Sequence, residues 1–377
     1  MLHGDVLALD WHQPMTWSIE DVETKLLNSK IDCIAMSPEA ILAAIDRVER
    51  DLGTEWIATT ASAKGLLPTM DIVGTGMRLE CLEGIVYAEK LIDQIRRKDP
   101  AADAELTGIY IFRSHDPNAS VELYPPVGNR RADFRVRRDS EPWTTVEVTL
   151  ALPSNEQKRV TAILRRITDA LRNLDVQFVL ELQFRREPTD EEIELLCDRL
   201  PEFCRLPGRQ SAELIDGVGF MFRDESAIGW LRFHDIPELA TTPMVGLAMF
   251  QSGGPGGGPH HQVAVRIPFS DTRAESFLTD EAKQLPKGGP GLIMICGPSS
   301  SNEATLWTNL IQQRLRPDLH TRVSAVCLFS GSMAPVGPRY GWLVRASLIT
   351  NLHARTPLPN WMTAAVKSNK NSREMAG

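Results

Sequence analysis

The sequence predicts an α/β protein with three regions: a helical N-terminal region at 1–100, a mixed core at 101–235 and a C-terminal α/β extension at 236–377. Apolar residues recur at helical spacing through much of the first region. In the core, segments with period-two alternation lie between helical patterns, and in the last region strands and helices alternate. A chain of this length can bury a sizeable core.

Composition indicates a soluble protein without a membrane segment. Hydrophobic residues make up 42% of the 377 residues and charged residues 24%, as in globular proteins. No apolar run approaches the roughly 20 residues that cross a bilayer, and the N-terminus lacks a secretory leader. The six cysteines are widely scattered, which favours reduced core thiols and a cytoplasmic location. A homo-oligomer is compatible with these features.

The N-terminal region is predicted to be a helical frame without chemistry. Helices are expected to start at Ser18 and Ser37, because a capping serine precedes acidic residues at both places. Residues 56–75 are rich in Ala, Ser, Gly and Thr and are expected to form a loop. A long amphipathic pattern predicts one helix over 77–97.

The core is predicted to run helix, three strands, helix, strand. These elements are expected at 102–112, 121–124, 131–136, 143–149, 155–174 and 176–184. The last strand is mostly apolar, which indicates burial on both faces. We expect the helix over 155–174 to form a right-handed crossover that adds this strand to the same sheet, parallel to the third strand.

Further elements are predicted after the core. Helices are expected at 189–200, 271–285 and 302–315, and strands at 212–222, 228–233, 262–267, 292–296 and 323–329. The glycine-rich stretch 251–259 is predicted to be a flexible linker. The polar tail from Trp361 onward is expected to fray.

The most informative chemical feature is a pair of acidic residues on neighbouring strands of the core. Asp133 alternates with Phe134 and Val136, and Glu147 alternates with Val146 and Val148. If the two strands pair as a hairpin, both carboxylates share one face. Converging carboxylates are what a hard cation such as Mg²⁺ (or Mn²⁺) needs, because it takes oxygen ligands and keeps several waters.

Thr149 lies two residues after Glu147 on the same face, where a third active group is expected. Arginines surround the acidic pair: Arg131, Arg135 and Arg137 are the candidates for binding a phosphate-bearing substrate. A solvated face without a ligand is the alternative interpretation of these arginines. The net charge of −8 weighs against a protein that simply coats nucleic acid.

The 101–184 segment resembles the core of the PD-(D/E)xK nuclease superfamily, the restriction-endonuclease-like αβββαβ fold. The resemblance implies that Glu105 is the acid of the first helix and that Asp133 and Glu147 are the metal ligands. Ala132 stands where the name-giving proline is found, and Thr149 stands where the family has lysine. Lys158, on the following helix, is the candidate for a displaced lysine, and a solvent-facing side chain is the alternative interpretation of it.

The resemblance implies Mg²⁺-dependent hydrolysis of nucleic acid phosphodiesters, with DNA favoured over RNA. A first alternative is a catalytically inactive nuclease-fold protein that binds nucleic acid or protein, because threonine cannot supply a positive charge. A second is an unrelated α/β protein that binds partners. The chain contains no phosphate-loop motif, no paired cysteines at zinc spacing and no Gly-x-Ser-x-Gly elbow, which disfavours those three classes.

Overall fold

The computed structural model describes residues 36–61, 67–213, 217–224, 244–251, 260–268, 271–297, 301–336 and 339–371. The helices are α1 (Pro38–Leu52), α2 (Thr54–Ala61), α3 (Leu67–Leu79), α4 (Ala88–Arg96), α5 (Pro100–Arg113), α6 (Asn155–Leu171), α7 (Asp190–Arg205), α8 (Arg273–Ala282), α9 (Ser301–Arg314) and α10 (Asn360–Asn371). A short 3-10 helix, Glu80–Leu82, follows α3.

The strands alternate with these helices in a mixed α/β arrangement. They are β1 (Ser120–Leu123), β2 (Pro126–Val127), β3 (Arg130–Arg131), β4 (Phe134–Arg137), β5 (Thr144–Leu150), β6 (Phe178–Phe184), β7 (Gln210–Glu213), β8 (Gly219–Asp224), β9 (Met244–Gln251), β10 (His260–Arg266), β11 (Gly291–Cys296), β12 (Ala325–Val336) and β13 (Arg339–Thr350). The described part of the chain therefore confirms the predicted fold class at this coarse level.

The chain forms two compact units. The first contains the described residues of Met1–Ala151, Arg273–Pro298 and Thr308–Gly377, and the second those of Leu152–Thr272 and Ser299–Trp307. The second unit is thus largely an insertion in the first. This grouping differs from the predicted boundaries after residues 100 and 235.

The sheet of the first unit has six described strands in the order β1-β4-β5-β11-β12-β13. The strands β1, β4 and β5 form an antiparallel meander, with Leu123 opposite Phe134 and Phe134 opposite Val146. Parallel pairing then joins β5 to β11 and β11 to β12, and β13 closes the sheet antiparallel to β12. The predicted hairpin between the Asp133 and Glu147 segments is therefore present.

The predicted crossover through 155–174 is wrong. The strand parallel to β5 is β11, with Ile293 opposite Glu147, and it follows helix α8. Strand β6 instead lies in a five-stranded sheet of the second unit, in the order β7-β8-β6-β10-β9. Both β6 and β11 are apolar enough to be a central strand, so their composition does not decide which of them pairs with β5.

Helix α5 packs against the sheet of the first unit. A Cβ added at Gly108 would lie 3.4 Å from the sulfur of Met294 and 3.5 Å from the rings or methyls of Phe134 and Val148. Phe112, fully buried on the same helix, contacts Phe134 and Trp361 with ring centroids 6.4 and 6.0 Å apart. This packing fixes the side of the sheet from which α5 approaches the strands.

The N-terminal helices depart from the predicted pattern at two places. The expected loop over 56–75 is largely helical, in α2 and α3, since its alanines and threonines are compatible with buried helix faces. The expected single helix over 77–97 is interrupted between the 3-10 helix and α4. Gly84 and Tyr87 have φ of 74° and 67° there, which a continuing right-handed helix does not allow.

The C-terminal prediction of a frayed tail is wrong for the described residues up to 371. In α10, Trp361, Met362 and Ala365 are buried in the hydrophobic core of the first unit. The expected helix start at Ser18, the strand over 228–233 and the linker residues 252–259 lie outside the described residues. All five described cysteines are free thiols. None of the described helices has the length and apolar character needed to span a lipid bilayer.

Candidate active site: a buried carboxylate cluster

Asp133 is held by backbone hydrogen bonds at the junction of two hairpins. Its carbonyl accepts from the amide of Tyr124 at 2.9 Å. Its side-chain Oδ2 accepts from the amide of Val148 at 2.6 Å, across from the neighbouring strand. The β4–β5 register, with Phe134 opposite Val146, puts Asp133 opposite Glu147 one position further along. The strand alternation therefore brings these two predicted site residues together.

Glu147 is an almost fully buried acid in the middle of a sheet. Its side chain is 3% exposed, and its Oε1 atom has no hydrogen-bond partner among the described residues. Burial raises the pKa of Glu147 to about 8, and the negative charges of Asp133 and Glu281 add to the effect. A buried carboxyl oxygen without a partner is costly, so this position favours a proton or a cation.

Glu105 joins the same cluster from helix α5, as the sequence predicted for the helix acid. Burial and, second, the negative charge of Asp133 raise its pKa to about 8, so the two carboxyls interact. The pKa of Asp133 is itself raised by burial, while the Val148 amide and the charge of Lys90 lower it. Two acids that each disfavour ionisation of the other are typical of a functional site.

Glu281 was not predicted. It lies on α8, the helix that leads to β11, and its Oε2 accepts a hydrogen bond from the side-chain amide of Gln284. Burial raises the pKa of Glu281, Asp133 is among the charges that raise it, and the nearby Thr149 hydroxyl lowers it. Thr149 therefore faces the cluster as expected, beside a fourth carboxylate. One signal could have revealed Glu281. It lies on the helix α8, which directly precedes β11, and β11 is the strand that pairs with β5 beside Glu147.

A positively charged side chain that was not predicted from the sequence also lies at the cluster. Lys90 is an exposed residue of α4 whose Nζ lies 3.7 Å from the ring centroid of Tyr124. Its charge lowers the pKa of both Glu105 and Asp133. The Tyr124 hydroxyl is 3.4 Å from Oε2 of Glu105.

The backbone of Tyr124 is strained, with φ of 53° in the left-handed region. For a bulky side chain this conformation costs roughly 1–2 kcal/mol. Such strain persists where the surrounding structure fixes it, and it is frequent at functional sites.

The predicted lysine, Lys158, is an exposed residue in the first turn of α6, in the second unit. The helix begins with a complete capping box between Ser154 and Gln157. Gln157 is thus part of the helix cap, and its Oε1 accepts from the Ser154 amide at 2.7 Å. Within the first unit, Lys90 contacts the tyrosine of the carboxylate cluster.

The three predicted substrate-binding arginines differ in their surroundings. Arg135 forms an ion pair with Glu122, with Nη2 2.6 Å from Oε2, and stacks on Trp143. Arg137 stacks on the same ring at 4.5 Å, and its Nε is buried without a hydrogen-bond partner in the described residues. Arg131 is exposed in β3, two residues before Asp133. Only Arg131 of the three is therefore both near the cluster and accessible.

No set of three or more His, Cys, Asp or Glu side chains in the described residues is arranged to hold a metal ion. The donor chemistry nonetheless fits Mg²⁺, which is commonly held by one or two carboxylates with the remaining positions taken by water or substrate oxygens. Asp133 and Glu147 provide two facing carboxylates, and the unpaired Oε1 of Glu147 is a free oxygen ligand.

Comparison of the chain with protein-family models, with curated proteins and with solved structures finds no match.

Proposed function

We propose that this protein hydrolyses phosphodiester bonds of nucleic acid with Mg²⁺ held at the carboxylate cluster. The observation that carries the proposal is the facing of Asp133 and Glu147 across the β4–β5 hairpin, with Glu147 buried and its Oε1 unpaired among the described residues. Burying two acids that interact with each other is unfavourable unless a cation or a proton neutralises them. A purely structural role would not explain why both are buried here.

The strand order supports a restriction-endonuclease-like core of a different composition from the one predicted. Helix α5, the meander β1-β4-β5, helix α8 and the parallel strand β11 follow the αβββαβ order. The fourth strand and its helix come from residues after 272, so the second unit is inserted between the third and fourth core strands. Under this assignment the acids lie on the first helix and on the second and third strands.

When bound, a divalent cation would polarise the phosphodiester and lower the pKa of the attacking water. Asp133 and Glu147 would hold it, and the amide of Val148 keeps the Asp133 carboxylate in orientation. Glu105 and Glu281 flank the two ligands and can accept hydrogen bonds from water. Thr149, beside Glu281, would help to orient that carboxylate.

Lys90 supplies the positive charge that Thr149 lacks. Its charge acts on Glu105 and Asp133, and its ammonium group rests on the ring of Tyr124 while remaining exposed. An ammonium group beside the ligands stabilises negative charge that develops on the phosphate. Under this proposal the cation comes from helix α4 instead of strand β5 or helix α6.

The decisive experiment compares cleavage by the native protein and by Asp133→Asn and Glu147→Gln. Duplex DNA, single-stranded DNA and RNA are incubated with Mg²⁺, Mn²⁺ or EDTA. We expect metal-dependent cleavage that falls at least about a hundredfold in both variants, since each loses a charged ligand. The matched control is Glu122→Gln, an acid on the neighbouring strand that pairs with Arg135. Cleavage that survives in both site variants would exclude this site.

The second candidate is a catalytically inactive nuclease-fold protein that binds nucleic acid or protein. The threonine at position 149 favours it, because threonine cannot supply the positive charge of the family's lysine. This candidate predicts no cleavage of any substrate, while isothermal calorimetry still detects binding of nucleic acid or protein. Metal-dependent cleavage abolished by Asp133→Asn would eliminate it.

A further inference from the structure

A small hairpin projects from the edge of the carboxylate cluster. Strands β2 and β3 pair antiparallel, with Pro126 opposite Arg131 and Val127 opposite Arg130. The hairpin base is closed by the hydrogen bond from the Tyr124 amide to the Asp133 carbonyl at 2.9 Å. The residue that would bind metal is therefore also the residue from which the hairpin emerges.

The tip of this hairpin is built for a tight turn. Gly128 and Asn129 connect the two strands, and Gly128 has φ of 59°, which glycine adopts without strain. Residues Pro126 and Gly128 to Arg131 are all exposed. Asn129 precedes Asp133 by four positions, so the tip reaches roughly 13 Å from the cluster at about 3.3 Å per residue.

The charge of the hairpin is unbalanced. Arg130 and Arg131 have no carboxylate partner in the described part of the chain, whereas the nearby Arg135 and Arg138 pair with Glu122 and Asp116. Consecutive residues of a strand point to opposite faces, so the two arginines extend from both sides of the ribbon. Two unpaired guanidinium groups on either side of a narrow projection match the phosphates on either side of a groove.

We propose that the β2–β3 hairpin enters the major groove of duplex DNA, with Arg130 and Arg131 on the phosphates of its two walls. The B-form major groove is about 12 Å wide and about 8.5 Å deep, and it admits a two-stranded ribbon. The roughly 13 Å reach of the tip spans that depth while the base stays at the backbone. The deep, narrow major groove of duplex RNA does not admit the ribbon. This inference rests on the proposed function, since it specifies that function's substrate.

The test measures binding of a fluorescent DNA duplex in EDTA, where cleavage does not occur, for the native protein, Arg130→Ala/Arg131→Ala and a control. The control is Arg97→Ala/Arg355→Ala, which removes the same charge from exposed positions, Arg355 following β13 at the opposite edge of the sheet. We expect the hairpin variant to bind about tenfold more weakly and to lose about two units of salt slope. The control should change little.

The outcomes separate this inference from the proposed function. Equal weakening in both double variants, or unchanged binding by the hairpin variant, overturns the hairpin assignment even if Asp133→Asn abolishes cleavage. Tighter, hairpin-dependent binding to single strands or duplex RNA overturns the groove assignment. If no substrate is cleaved but duplex DNA binds through the two arginines, the hairpin assignment stands and the hydrolytic function fails. Thermal unfolding of each variant verifies that it is folded.

Discussion

At the scale of single residues, the protein concentrates like charges in a buried place. Glu105, Asp133, Glu147 and Glu281 all have raised pKa values, with burial as the largest cause in each. Ionising these four buried acids together destabilises the folded protein. A bound divalent cation, or protonation, removes that destabilisation.

The pH dependence of stability follows from Glu147. Its pKa is about 8 in the folded protein against its ordinary value of 4.5, so at a pH between these values the folded state keeps a proton that the unfolded state has lost. Stability therefore falls as pH rises between about 4.5 and 8. One pKa unit corresponds to about 1.4 kcal/mol. Because the neighbouring acids share the shift, we expect Glu147→Gln to be more stable than the native protein by about 2 kcal/mol at pH 8.5 in EDTA.

Thermal or urea unfolding at pH 5 and pH 8.5 measures this difference. The gain of the Glu147→Gln variant should be small at pH 5, where the native glutamic acid is already largely protonated in the folded state. Added Mg²⁺ should stabilise the native protein at pH 8.5 and leave the variant nearly unchanged. A gain that is the same at both pH values would contradict the buried, protonated state of Glu147.

Lys90 carries the second residue-scale prediction. Lys90→Met should reduce cleavage by roughly a hundredfold, because charge developing on the phosphate loses its nearest cation. Lys90→Arg keeps the charge and should recover much of the rate. Single-turnover rates with saturating duplex DNA test both, with Lys98→Met as control, an exposed lysine over Trp56. Equal rates for the native protein and Lys90→Met would remove Lys90 from the proposed site.

The sequence could predict the Asp133–Glu147 pair because period-two alternation assigns faces within one hairpin. It could not predict Lys90 or Glu281, since each reaches the cluster from a helix whose position depends on tertiary packing. Lys90 lies one turn after the left-handed Tyr87, within a pattern that resembled one continuous helix. The contacts of Arg135 and Arg137 with Glu122 on β1 and with Trp143, just before β5, could not be predicted either, because they depend on how the strands pair.

At the scale of elements, two N-terminal helices pack closely against each other in the hydrophobic core of the first unit. A Cβ at Gly76 on α3 would lie 2.0 Å from the carbonyl oxygen of Ala44 on α1. Real side chains do not tolerate that distance, so the two helices are this close only because residue 76 is glycine. The helical nature of α3 was missed because glycines at 74 and 76 are unfavourable for an isolated helix.

Gly76→Ala should therefore destabilise the protein by about 2–3 kcal/mol, since the helix backbones must separate. Gly288→Ala is the matched control, because no atom lies within 4 Å of a Cβ there and its φ is not positive. Urea titration followed by circular dichroism gives both values. A destabilisation by Gly76→Ala no larger than that of the control would show that α1 and α3 can separate without loss.

At the scale of the whole molecule, the sheet of the first unit depends on a pairing across an insertion. Thr145 pairs with Gly291 only after Leu152–Thr272, the larger part of the second unit, has intervened in the chain. No local pattern specifies such a partner, and this is why β6, the next apolar strand in sequence, was predicted to take the position of β11. Periodicity predicted the existence of these strands, but not which sheet each of them joins.

This pairing predicts an order of folding. The β6–β8 pair joins residues much nearer in sequence than β5 and β11, and closing the longer loop costs about 1 kcal/mol more. We expect amides of β6 and β8 to become protected before those of β5 and β11. Pulsed hydrogen exchange during refolding resolves the two groups. Earlier protection of the β5–β11 pair would contradict this order and would indicate that the first unit folds before the second.

The hydrogen bond from the Ala151 amide to the Cys296 carbonyl, at 2.7 Å, closes the sheet of the first unit at the place where the second unit departs. The insertion point is therefore a natural cassette site. Other modules could be exchanged between Ala151 and Arg273 without altering the four carboxylates of the cluster, because all of them belong to the first unit.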